Sequence, residues 1–203
     1  MKRMLAHVLA AATGAGALVL LACTLLPLVF LHAADSPTGW VQDTAWPYLA
    51  VAAFALTALM PVVMLGIYAY QIDEAGVLGL IGLVASLVGF AALLGFQFDL
   101  AFVWPVLAAR APELLDYSGP MFREPGFAFV HSSMGPVHSV GVLLFGSALI
   151  RARVFPRAAS ALFTIGVILS AGLLFPPHLI RAVGGILAAP AMVWIASVLW
   201  RRT

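Results

Sequence analysis

Six apolar stretches, each about 20 residues or longer, fill most of this chain, and none of them alternates polar with apolar residues. Runs of that length are what an α-helix needs to cross a hydrocarbon layer about 30 Å thick. Strands of a membrane barrel are about half as long and alternate, so they do not fit. Lipid supplies no partner for backbone N–H and C=O groups, which leaves helices as the element these runs must form. The charge content agrees. Of 203 residues, 64% are hydrophobic and 9% charged, against roughly a quarter charged in a soluble domain. That is too little charge to cover a globule in water. The fold expected is all-α, an integral membrane bundle of six transmembrane helices. It forms a single domain over 1–203, with helices at about 5–31, 47–70, 77–104, 127–150, 158–175 and 182–200.

Read from the start, Lys2 and Arg3 precede the first apolar run. A basic head, an apolar middle and the small pair Ala33-Ala34 also resemble a signal peptide. The run is longer than a signal core and further spans follow, so it is read as a retained helix. Leu20-Leu-Ala-Cys23 has the outline of a lipoprotein box, but residues 24–31 stay apolar where a lipoprotein turns polar. A polar loop follows over 32–46, with Trp40, Trp46 and Tyr48 placed as an interfacial aromatic belt. Residues 71–76 read as a tight turn. Residues 105–126 read as the longest loop, with a short interfacial helix near Pro112.

Six spans bring both termini to one side. Lys2, Arg3, Arg151, Arg153, Arg157, Arg201 and Arg202 share that side, against Arg110, Arg123 and Arg181 on the other. The positive-inside rule therefore places both termini in the cytoplasm and the longer polar loops outside, in what is read as a bacterial cytoplasmic membrane. The acidic Asp73-Glu74 turn runs mildly against this, but acidic residues weigh little in the rule. The net charge of +2 gives no reason to expect nucleic acid. A single cysteine, Cys23, excludes an internal disulfide and a cysteine metal cluster.

Gly79, Gly82, Ser86 and Gly89 recur every three or four residues and so share one helix face. Small residues on one face predict close approach of another helix. Pro27, Pro61, Pro136 and Pro190 fall inside the first, second, fourth and sixth helices. Each removes a backbone donor and frees the carbonyl four residues earlier, at Thr57 for Pro61 and Ser132 for Pro136. Helix–turn–helix segments around 66–89 and 146–172 are loosely alike. A three-plus-three inverted arrangement is allowed by the topology but not demanded by the residues.

The chemistry lies in polar residues at membrane depth. His131 and His138, seven apart, share a face of the fourth helix, with Ser132 and Ser139 beside them. That stripe is costly against lipid and is expected to face the bundle interior. At 1.5 Å per residue the two imidazoles are about 10 Å apart along the axis, too far to share one ion. With Gln97 and Asp99 of the third helix, His131, His138 and Ser132 form a candidate ligand or proton site. The topology also gathers His32, Asp99, His131 and His178 in the outer leaflet. A set of that kind suits a divalent metal, a proton relay or, between two histidines, a haem iron. Against this, His32 and His178 could be simply wet and His131 hydrogen-bonded to Asp99. No Gly-x-Ser-x-Gly elbow, His-Glu-x-x-His or phosphate loop appears. The serine beside His131 points elsewhere on the helix, so the two are not a nucleophile and its base. Two functions stay open. One is a small-ligand or ion- or proton-handling bundle, self-associating or serving as an accessory subunit of a membrane complex. The other is a redox protein holding haem or a metal.

Overall fold

A computed structural model of the chain describes residues 2–30, 37–116, 118–170 and 178–201. Among these residues all regular structure is helical. The long elements are α1 (Lys2–Phe30), α3 (Trp46–Tyr70), α4 (Ile72–Phe98), α7 (Pro125–Ala152) and α9 (His178–Arg201). A shorter apolar helix, α8 (Arg157–Ser170), completes the bundle. Around them lie α2 (Pro37–Gln42), α5 (Trp104–Arg110) and α6 (Pro120–Arg123).

Five helical stretches are long and apolar enough to cross a membrane: 6–25, Trp46–Tyr70, Ile72–Arg110, Pro125–Ala152 and Leu179–Arg201. The sixth expected span, 158–175, is described only as the 14 residues of α8. At 1.5 Å per residue that is about 21 Å, short of the hydrocarbon thickness. Its remaining residues lie outside the described segments.

Several segment boundaries differ from expectation, among them the start of the last helix, at His178 and not at 182. The third span starts at Ile72, because only Gly76, at φ +57°, breaks the helical backbone after Gln71. A left-handed backbone is open to glycine at little cost, so the break is confined to one residue. The same span does not stop at Trp104. It passes through a π-helical turn, Asp99–Val103, into α5 and ends at Arg110. Trp46 Nε1 donates to the Leu100 carbonyl inside that turn at 3.1 Å, which pins the irregular backbone to α3. The loop read over 105–126 is therefore largely helical, with a 3₁₀ turn at Pro112–Leu115 where a short helix was expected. The loop at 32–46 likewise holds α2.

The six bundle helices form a ring in chain order. Each packs on its neighbours in sequence, and α1 closes the ring against α9. The His7 and Trp200 rings meet at 4.4 Å with a 58° tilt, Gly16 lies against Met192 and Gly185 against Thr24, so α1 and α9 run antiparallel and Lys2 and Arg201 lie at one end of the bundle. The tightest seam joins α4 and α7. Gly82 lies against the backbone of Leu144 and Phe145, Gly89 against His138, and Gly141 against Ala85 and Ser86. A Cβ at Gly89 would sit 2.5 Å from His138 Cα. The small-residue face read over Gly79–Gly89 is thus the contact that lets these backbones meet, as packing in lipid requires.

The outer surface is apolar. Leu18, Val62, Val88, Leu143, Ile186 and Val193, from five different helices, are each more than half exposed. Soluble proteins scatter such residues singly; here they ring the bundle, as a lipid-facing surface does. A second apolar cluster, with Trp46, Trp104 and Leu115 at its centre, caps the end opposite the termini.

Candidate functional site

One cavity is bordered by all six bundle helices. Its wall takes Leu20, Cys23 and Thr24 from α1, Ala53, Leu56, Thr57 and Met60 from α3, and Phe90, Leu93 and Gln97 from α4. His138 comes from α7, Val167 and Ser170 from α8, and Arg181 from α9. These positions fall toward the C-terminal ends of α1, α4 and α8 and the N-terminal ends of α3 and α9. The cavity therefore lies in the half of the bundle away from the chain termini.

His138 is held there by packing. It is 1% exposed, its backbone rests on Gly89, and its ring meets Phe90 edge-on at 4.5 Å. Its Nδ1 is buried without a hydrogen-bond partner. A polar atom left so typically costs about 1–3 kcal/mol, which the fold must offset elsewhere. The expectation that His138 turns away from lipid is met. The hydroxyls on the wall are tied to their own helices: Thr24 donates to Leu20 O at 2.8 Å, Thr57 to Ala53 O at 2.8 Å, and Ser170 to Val167 O at 3.0 Å. Their lone pairs remain available to a ligand in the cavity. Pro61 leaves the Thr57 carbonyl without its helical donor, which adds an acceptor at the wall.

The cavity measures about 70 Å³. A water molecule occupies about 30 Å³ of liquid volume, so the space suits about two waters or one small ion. No carboxylate borders it among the described residues, while a guanidinium does. That donor set does not fit a divalent cation, which takes carboxylate and carbonyl oxygens.

The five residues of the expected ligand site fall into different places. His138 and Gln97 border the central cavity. Asp99 and His131 instead line a separate groove of about 540 Å³ between α4 and α7. The imidazole of His131 sits among Phe96, Phe122 and Phe127 at 5.2, 5.4 and 6.0 Å, and its Nδ1 is buried without a partner. It is therefore not held by a hydrogen bond from that atom to Asp99. Ser132 enters neither space. It is exposed and donates to Phe129 O at 3.2 Å, because a seven-residue stripe occupies a narrow arc and the adjoining position points away. Of the four residues expected in the outer leaflet, His32 lies outside the described segments. His178 opens α9, and nothing of its side chain is described. Among the described residues, no three His, Cys, Asp or Glu side chains gather as metal ligands do.

Sequence reasoning missed Cys23, Thr24, Ser170 and Arg181 as members of one wall. They come from three helices, α1, α8 and α9, with no spacing to mark them. Only the ring closure of α1, α8 and α9 onto α3, α4 and α7 brings them together. Comparison of the chain with protein families, with curated proteins and with solved structures finds no match. The function has to be argued from this geometry.

Proposed function

We propose that the protein handles a small ion, a proton or a small anion, in the central cavity, with His138 as the group that exchanges protons with its occupant. The observation that carries this reading is a buried imidazole, its Nδ1 without a partner, bordering a small space of mixed apolar and polar lining that all six helices share. An ionisable residue inside a membrane bundle is costly, and it is commonly kept where it touches a pathway or ligand. Arg181 and Gln97 give the wall donors for an anion, and the three hydroxyls, whose protons go to their own helices, add acceptors for a hydrogen-bonded water pair. The cytoplasmic placement of both termini, which follows from the arginine distribution, puts the cavity in the outer half of the membrane. His131 and His138 come from one helix and border different spaces, so a haem held between outer-leaflet histidines of different helices would need His32 or His178, which are not among the described side chains.

The test is ion flux in proteoliposomes. With a pH-sensitive dye inside and a proton or chloride gradient imposed, the parent protein should accelerate dissipation over empty vesicles, and His138→Leu should return it to background. His138→Leu keeps an apolar ring-sized volume and removes no hydrogen bond at Nδ1, so its melting temperature should stay close to the parent's. No flux of either ion through the parent protein removes this reading.

A further inference from the structure

The groove between α4 and α7 is a different kind of space from the central cavity. At about 540 Å³ it lies in the range of pockets that hold organic molecules. Ala91, Ala92 and Gly95 form one wall, and Val130 and Met134 the other. Phe96, Phe98 and Phe127 add three aromatic rings. Ala91, Gly95, Phe98 and Val130 are exposed, so the groove opens on the outer, lipid-facing surface of the bundle. Among the described residues its one charged side chain is Asp99.

The α4–α7 register sets the depth. Gly82, Ser86 and Gly89 lie against Phe145, Gly141 and His138. Continued in the same direction, that register brings Phe96 beside His131, as their 5.2 Å contact shows. Asp99 then stands level with the first turn of α7. The polar end of the groove thus lies at the start of α7, and its apolar length runs toward the middle of that helix beside Ala91 and Met134. The carboxylate of Asp99 is half-buried, and neither a cation nor a hydrogen-bond donor acts on it among the described residues. A lone carboxylate among aromatic rings is complementary to an organic ammonium: the charge pairs with it and the ring faces attract it. The π-helical turn that begins at Asp99 is of a type often found where a helix forms a binding site.

We propose that this groove binds the ammonium head of an amphiphilic organic cation, with Asp99 as counter-ion, Phe96, Phe98 and Phe127 as aromatic walls, and the alkyl tail lying along Ala91, Gly95 and Met134. The ammonium could belong to a free lipophilic amine or to the headgroup of a lipid. The site stands independently of the central cavity.

The probe is octyltrimethylammonium, added below its solubilising concentration to the protein in nanodiscs of phosphatidylglycerol, with octanol as the uncharged control. Binding is read by melting temperature and tryptophan fluorescence. The charged probe should stabilise the parent protein and octanol should not. Asp99→Asn, which keeps the side-chain shape, should weaken the probe at least tenfold. Gly95→Leu should do the same by filling the groove, and it should fold normally, since a Cβ at Gly95 meets nothing within 4 Å. Repeating the titration in phosphatidylethanolamine nanodiscs separates the two sources. A weakened probe identifies the lipid headgroup as the occupant, and an unchanged one points to a free amine. Equal stabilisation by octanol, or probe affinity within twofold of the parent in both variants, overturns the proposal.

Discussion

At the scale of single residues, close contacts and orphaned polar atoms decide what can change. Gly89 has no room for a side chain, because a Cβ would enter the backbone of α7 at His138. Gly89→Val should lower stability by about 1–3 kcal/mol, the usual cost of overpacking, seen as a lower melting temperature in detergent. Asp116 offers a prediction outside the membrane. The Ser118 backbone N–H and hydroxyl both donate to its carboxylate at 2.8 Å, with Arg123 nearby. The backbone bond from Ser118, then the hydroxyl bond, hold that carboxyl below the ordinary carboxylate range. A folded pKa below the unfolded one adds stability above the unfolded value, and this is lost as pH falls through the folded value. Asp116→Ala should therefore melt below the parent at neutral pH, and the two should converge as the buffer is taken below the carboxylate range. At this scale the sequence was most informative about His138, whose burial follows from the cost of an imidazole in lipid. It was least informative about Ser132, since a helical stripe predicts a face but not how wide the buried arc is. His131 shares a helix face with His138, but seven residues of separation put it on a different space.

Among the elements, the α4–α7 seam and the π-helical turn matter most. The glycine face of α4 was legible because a three-and-four spacing of small residues has a single physical use in lipid. The partner helix was not, since any apolar helix could have met it. The continuation of α4 into α5 was hidden by Pro105, which reads as a stop. Proline at the first turn of a following helix needs no donor, so the chain passes through a π-turn and resumes. The Trp46 indole holds that turn through the Leu100 carbonyl. Trp46→Phe keeps most of the apolar surface and removes the donor. It should cost about 1 kcal/mol, the net worth of one hydrogen bond, and should speed amide hydrogen exchange in 99–104 more than elsewhere.

For the molecule as a whole, the membrane character and helical fold follow from composition and run length, and the structure has both. The ring could not be read from the chain, because apolar helices carry no address for their neighbours. The ring is what turns scattered hydroxyls, one guanidinium and one imidazole into a shared wall. It also joins the two ends of the chain at one end of the bundle, so a tag after Arg201 and a tag before Lys2 should be digested by protease from the same side of sealed vesicles. If the positive-inside expectation from Arg151, Arg153, Arg157 and Arg201 holds, that side is the cytoplasmic one.

The most direct measurement is whether the imidazole at the centre of the ring touches water. In protein labelled with ¹⁵N only at histidine and held in nanodiscs, the His138 signals are those missing from His138→Leu. Water-edited solid-state spectra should show magnetisation passing from water to a His138 ring nitrogen within the same mixing time as for a solvent-accessible histidine. A His138 signal that stays dark at every mixing time, in folded protein, would mean a dry core at this position and would contradict an ion-handling cavity.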